Sequence, residues 1–283
     1  MKKNTRYLQM LRRYFKDPLS AAAFIIFLVI VVLCMAAPLL TSYDPTVFDF
    51  NQAKLPPGSP GHLLGTDNIG RDLFARILYG GRATLKTALQ ATILSAVVGT
   101  IFGIYAGYFN NTLSNLILRA TEIIDSIPYI LLVIMFEYMF GFGQGSFKYG
   151  LGVAAIPAMT QTVRAEVLRI KNKEYMEAAR ALGLSNLTII RRHVLNNIAG
   201  TIVMQTCTNY AEAALACTVL GYLSIGFMAP KFDWGTLVSA GFNFLRTESY
   251  ISLIPTFVIV ITSVCLNLIG KGIRDVYGNG ERA

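Results

Sequence analysis

Residues 18–43 read PLSAAAFIIFLVIVVLCMAAPLLTSY, a run without Asp, Glu, Lys or Arg. A helix needs about 20 apolar residues to cross the hydrocarbon core of a bilayer, and this run exceeds that length. Two further charge-free runs follow, Thr87 to Leu118 and Ser249 to Gly270. Across all 283 residues, 54% are hydrophobic and 14% charged. A soluble domain carries nearer a quarter charged residues, so the deficit calls for an apolar solvent. The chain reads as an all-α, polytopic membrane protein.

Working outward from the first run, the flanking charge sets orientation. Lys2, Lys3, Arg6, Arg12, Arg13 and Lys16 precede it, and Arg164, Arg169, Lys171, Lys173, Arg180, Arg191 and Arg192 gather in one later loop. Basic residues beside apolar spans favour the cytoplasmic side. This placement accounts for the net charge of +9 without nucleic acid as a partner; the partner it implies is the lipid bilayer. The basic, apolar and Ala36-Ala37 succession imitates a signal peptide, but the run is too long and more apolar spans follow, so it reads as a retained helix. Cys34, Cys207, Cys217 and Cys265 lie in apolar runs and only His62 and His193 accompany them, so neither a disulfide framework nor a metal site is readable.

Six crossings are expected. A basic cytoplasmic tail (1–18) leads into span 1 (19–40). A polar extracytoplasmic loop (41–83) follows, with Leu73, Ile77 and Leu78 marking a short amphipathic interfacial helix. A five-helix core (84–275) has span 2 at Thr84–Phe109, span 3 at Leu116–Phe140, span 4 at Phe147–Val163, span 5 at Ile198–Phe227 and span 6 at Ser249–Gly270. A cytoplasmic tail (276–283) ends the chain, so both termini face the cytoplasm. Gly99, Gly103 and Gly107 form a small-residue stripe on span 2 that admits close helix approach, inside the bundle or between subunits. Ionisable residues at membrane depth are costly and face partners or water. Arg119 and Glu122 can pair at i, i+3. Asp125, Glu137 and Glu212 have no evident local partner; a place on a translocation path and an interfacial position remain open for them.

Between spans 4 and 5 lies a loop with seven basic and three acidic residues, a charge of +4. At its centre Glu174-Tyr175-Met176-Glu177-Ala178-Ala179-Arg180-Ala181-Leu182-Gly183 places Tyr175, Ala178, Ala179 and Leu182 at i, i+3, i+4, i+7, one helical stripe. Glu174, Glu177 and Arg180 line another side, Gly183 supplies a helix stop and Ser185 a cap for the next helix. A cytoplasmic docking element and a solvated loop of incidental helicity are both open on this pattern.

The sequence here resembles the permeases of ABC importers. Glu177, Ala178, Ala179 and Gly183 match their EAA loop (about 164–195 here), and Arg164-Ala165-Glu166-Val167-Leu168 with Glu174-Tyr175 resembles the peptide-importer version. Leu64-Gly65-Thr66-Asp67, Gly70-Arg71-Asp72, Arg76 and Gly81-Arg82 are similar to the signature of the dipeptide/oligopeptide/nickel subfamily, C-type subunit, and Asp233-Trp234-Gly235 to its tryptophan-glycine segment. The chain departs from that pattern at Asn196, where a Pro is usual, at Cys217, where an acid is usual, and at Glu122, where Asp is usual.

The resemblance implies a type I importer permease fold and a pore subunit moving peptides, nickel or metal chelates across the bacterial cytoplasmic membrane. It implies as partners a second permease chain, two cytoplasmic ABC ATPases and an extracytoplasmic substrate-binding protein. Glu174 to Gly183 would couple to the ATPase, and Gly65, Thr66, Asp67, Gly70, Arg71, Asp72 and Arg76 would form a receptor-side signature. The chain has no Gly-x-x-x-x-Gly-Lys-Ser/Thr loop, so ATP and Mg²⁺ would sit on the partners and this chain would carry no cofactor. A secondary carrier would show inverted repeats, and an intramembrane enzyme a nucleophile and base at membrane depth; neither pattern is found.

Overall fold

The computed structural model describes residues 14–141, 144–226 and 232–278. Much of the expected basic tail, and Lys231 before the Asp-Trp-Gly segment, lie outside the described residues. Apart from a long irregular loop over residues 41–72, the described chain is mainly helical, in the order α1 (Pro18–Met35), α2 (Ala37–Leu40), α3 (Leu73–Tyr108), α4 (Thr112–Asp125), α5 (Tyr129–Phe140), α6 (Gln144–Ala154), α7 (Ile156–Lys171), α8 (Glu174–Ala181), α9 (Asn186–Ile189), α10 (Leu195–Tyr222), α11 (Trp234–Phe242) and α12 (Tyr250–Gly278), with a π-helical turn over Ile190–Val194.

Among the described residues, three helices are long and apolar enough to span unaided: α1, α3 and the Tyr250–Val276 part of α12. The expected single span 3 is instead two helices, α4 and α5, bent by 94°. Pro128 explains the break, since its ring disfavours a helical residue before it and the preceding turn ends at Ser126. Span 4 is likewise divided, at Ala155, and runs on to Lys171. Helix α10 is 28 residues long, about 42 Å at 1.5 Å per residue, and more polar than the other spans. Its polarity is sheltered: Asn209 donates to Ser95 Oγ at 3.4 Å, Gln205 to Asn209 at 2.8 Å and Thr162 to Gln205 at 3.2 Å. Counting the bent α4–α5 pair as one span brings the number to four among the described residues, against the six expected from sequence.

The separate amphipathic helix expected near residues 71–80 does not exist. Asp72 caps α3 by accepting from Ala75 N at 2.7 Å, and the helix continues unbroken to Tyr108. Leu73, Ile77 and Leu78 are buried against protein rather than laid on an interface. Gly80 and Gly81 pass through the helix because a neighbour needs the space: a Cβ on Gly81 would meet the Trp234 ring at 2.5 Å and Cys34 Sγ at 2.6 Å.

The glycine stripe resolves as internal packing. Cβ atoms built on Gly99, Gly103 and Gly107 would meet Met159 Cβ at 2.6 Å, Thr160 O at 2.7 Å and Val167 Cβ at 2.8 Å. Every fourth residue of α3 therefore lets α7 lie backbone against backbone. On the outside, Leu89, Ile93, Val97 and Ile101 of α3 and Leu253, Phe257, Val260 and Val264 of α12 stay exposed in helical stripes, the apolar faces an anhydrous solvent requires.

Candidate coupling element and entrance loop

Helix α8 is held from behind. Met176 (0% exposed) and Ala179 (4%) insert into a cluster built from Ile104, Tyr108, Met159, Val163, Val167, Ile170, Ile189, Val194 and Ile198. Its end is a Schellman motif: Leu184 N donates to Ala179 O at 3.2 Å and Gly183 N to Arg180 O at 2.9 Å. Gly183 takes φ +74°, a conformation other L-residues pay to adopt, and no atom lies within 4 Å of a Cβ there. Side-chain ties complete the mount. Tyr108 OH donates to Asn186 Oδ1 at 3.0 Å, Asn197 Nδ2 to Tyr175 OH at 3.3 Å, and Arg180 Nη2 to Lys171 O at 3.0 Å. The front of the helix is open: Glu174, Tyr175, Glu177, Ala178 and Leu182 are exposed, Leu182 at 80%.

One expectation changes in detail. Ala179 belongs to the buried side with Met176, so the exposed stripe is Tyr175, Ala178 and Leu182. The Met176–Ala179 anchor was readable as an i, i+3 apolar pair, but alanine serves a core and a docking face equally well. Glu174 and Glu177 sit in the first turn and Arg180 in the last, the arrangement the helix dipole favours.

The loop before α3 is knotted by the signature residues themselves. Thr66 and Asp67 are buried. Asp67 accepts from Arg71 Nε at 2.6 Å and from the backbone of Ile69 and Arg71 at 3.0 Å, while Arg76 Nε lies 3.5 Å away. Arg76 also donates to Pro45 O at 3.1 Å and stacks over Phe232 at 4.5 Å. Asp72 turns its second oxygen to His62 Nδ1 at 2.8 Å, and His62 Nε2 meets Gln52 Oε1 at 2.6 Å. A Cβ on Gly65 would strike Leu55 O at 2.3 Å, and one on Gly70 Asp49 O at 1.8 Å, so two strands of loop cross where only glycine fits. These residues tie the loop to itself, and most of them are buried. His62, read from sequence only as a non-metal histidine, is a central tie; its partners ten residues to either side left no local signal.

The Asp-Trp-Gly segment locks α11 into the bundle. Trp234 Nε1 donates to Ile77 O at 2.9 Å and its backbone N to Thr84 Oγ1 at 3.2 Å. Asp233 forms a capping box with Thr236. The three acids of uncertain role occupy different surroundings: Asp125 is exposed and accepts from Gln161 at 3.1 Å, Glu137 is fully buried and accepts from Ser146 at 2.9 Å, and Glu212 is exposed on α10. The expected Arg119–Glu122 pair forms, at 2.9 Å on an exposed surface.

Comparison with known proteins places this geometry. The profile of the binding-protein-dependent transport system inner membrane component family matches residues 99–280, and that of the N-terminal transmembrane domain of oligopeptide transport permease C matches residues 5–57. The chain is 32% identical over 265 residues to the dipeptide transport system permease protein DppC of Bacillus subtilis, covering 93% of this chain and 82% of that one. It is 31% identical to the oligopeptide transport system permease protein OppC of Haemophilus influenzae, covering 96% and 88%. Among solved structures it is similar to a chain of the MetNI methionine ABC transporter, with a TM-score of 0.58 at 19% identity, over 72% of this chain and 96% of that one; the fold is that of a type I ABC importer permease.

Proposed function

The chain belongs to the family of binding-protein-dependent transport system inner membrane components, and on that premise we propose that it forms half the pore of an ATP-driven peptide importer in a bacterial cytoplasmic membrane. Peptides are chosen over nickel or metal chelates because the similar permeases carry dipeptide and oligopeptide names. The second half of the pore is another permease chain, and two ATPases bind ATP and Mg²⁺ on the cytoplasmic side.

The observation that carries the reading is the mounting of α8, anchored through Met176, Ala179 and the Gly183 stop while Glu174, Tyr175, Glu177, Ala178 and Leu182 are exposed. A lever must be stiff where it joins the load and accessible where it is pushed. ATP's unequal affinity for two ATPase arrangements supplies the energy, and α8 carries it to α3, α7 and α10. On the other face, the knot of Gly65, Thr66, Asp67, Gly70, Arg71, Asp72 and Arg76 shapes the entrance at which a substrate-binding protein delivers its load. Asp125 and Glu212, being exposed, are the acids assigned to the translocation path; Glu137 is sealed in protein.

Glu177→Lys and Gly183→Asp test the lever. Both positions are exposed; Glu177→Lys should leave insertion and folding normal while uptake and stimulation of the co-purifying ATPase are lost, and Gly183→Asp should lose both functions with added backbone strain at the helix stop, where φ is +74°. Transport persisting in either variant would sink the assignment. Leu182→Cys, labelled by a membrane-impermeant maleimide, should react only in inside-out vesicles, and labelling from outside would reverse the topology.

A further inference from the structure

Below α10 lies a cationic cavity that the lever does not use. Leu187, Thr188, Arg191, Arg192 and Asn196 line a space of about 540 Å³. These five residues fall on one face of the continuous rod formed by α9, the π-helical turn and the foot of α10, while Ile189, Val194 and Ile198 on the other face are buried. Both arginines are exposed. Among the described residues, neither guanidinium has an ion pair or a hydrogen-bond partner, whereas the nearby Arg169 is neutralised by Glu166 at 2.5 Å. Residues 193–211 carry no Asp, Glu, Lys or Arg, so the two arginines stand within two turns of the apolar passage. Leu187 is 75% exposed beside them.

We propose that this cavity binds the phosphodiester headgroup of an anionic phospholipid, of the phosphatidylglycerol kind, at the membrane face. Two guanidinium forks match phosphate oxygens in a way that point-charge ammoniums do not. The Thr188 hydroxyl, paired only with Ser185 Oγ at 2.8 Å, adds a neutral donor, and Leu187 offers apolar surface to the first acyl carbons. Basic pockets at the cytoplasmic ends of spans are where such lipids gather. A protein client is less suited, because the adjoining lever face already shows Glu174 and Glu177 and so presents the opposite sign to an acidic surface. The inference rests on the inner-face placement proposed above for the loop at about 164–195.

The test uses the full chain purified with its co-eluting subunits from nanodiscs of mixed phosphatidylcholine and phosphatidylglycerol, with retained lipid counted by native mass spectrometry. The double variant Arg191→Gln/Arg192→Gln should retain roughly 30-fold less phosphatidylglycerol, from the usual contribution of two interfacial basic residues, with phosphatidylcholine unchanged. The double variant Arg191→Lys/Arg192→Lys keeps the charge but not the fork, and should fold alike while retaining less phosphatidylglycerol than wild type and more than the Gln variant. Equal phosphatidylglycerol retention by the Gln variant and wild type overturns the proposal. So does loss of the co-eluting subunits with lipid retention unchanged, which would assign the arginines to a protein interface. Millimolar inorganic phosphate protecting the wild type from thermal unfolding as well as the lipid does would mark a soluble-phosphate site and also overturn it. Because lipid retention is read separately from maleimide labelling, a reversed topology with lipid still held would refute the coupling reading alone.

Discussion

Asp233 caps α11 with Oδ1, which accepts from Thr236 N at 2.9 Å, and leaves Oδ2 buried without a hydrogen-bond donor. Gly221 of α10 lies so close that a Cβ there would meet both carboxylate oxygens at 2.3 Å. In the loop between spans, burial pushes this carboxyl from 3.8 up to about 6, against the opposing pull of Thr236 and nearby backbone donors. The folded state thus resists ionisation that the unfolded chain completes at lower pH. The stability contributed by the protonated carboxyl is full below about pH 4 and is lost as pH rises through 6. Asp233→Asn should therefore gain stability over wild type between those limits, on the order of 3 kcal/mol at neutral pH, and the two proteins should converge at pH 4. Thermal unfolding in detergent at several pH values checks this, and parallel curves would refute it. Trp234→Ala, which empties a buried site and removes the indole bond to Ile77 O, should cost about 3–5 kcal/mol, read by denaturant titration of the solubilised protein.

At the scale of elements, the α3–α7 contact is set by three glycines, and its tolerance can be stated in ångströms. A single methyl at Gly103 reaches Thr160 O and Val163 Cβ at 2.7 Å, and the first of these is backbone that cannot rotate away. Gly103→Ala should destabilise by about 1–3 kcal/mol and Gly103→Leu should prevent accumulation of folded protein, while Ile101→Ala, on the exposed stripe of the same helix, should change stability little. Expression level and melting temperature in detergent separate these outcomes. The same comparison shows why the glycine stripe was legible and its partner was not: four-residue spacing announces a close approach, but Met159, Val163 and Val167 look like any apolar residues in a span. The α4–α5 bend was half-legible. Pro128 stood in the sequence, yet hydropathy runs through it without interruption, and only the preceding backbone shows that the helix turns there.

Over the whole molecule, the loop before α3 and the last helix are tied across nearly 200 positions. Tyr250 OH at the start of α12 donates to Leu55 O at 2.8 Å and reaches Thr66 O at 3.2 Å. Lys54 adds an ion pair to Glu248 at 3.6 Å and lies over the Phe244 ring at 4.4 Å. Any displacement of α12 is therefore felt in the knot built on Asp67 and Asp72. Tyr250→Phe should loosen residues 50–70 by about 1–3 kcal/mol, seen as faster amide exchange there, with exchange in α8 unaltered; unchanged exchange in the loop would show that the hydroxyl is not a tie.

The sequence alone determined the solvent, the helical class and the short helix that stops at Gly183, because charge-free runs, basic flanks and a helix-stop glycine are local signals with local causes. Tertiary structure decided which side of each helix is spent on packing. It turned Ala179 inward, joined the interfacial turn to α3, and buried most of the signature between Gly65 and Arg76 in a knot. Those outcomes depend on partners tens to hundreds of residues away, such as Trp234 against Ile77, and burial is a property of the assembled neighbours that no short stretch of chain can encode.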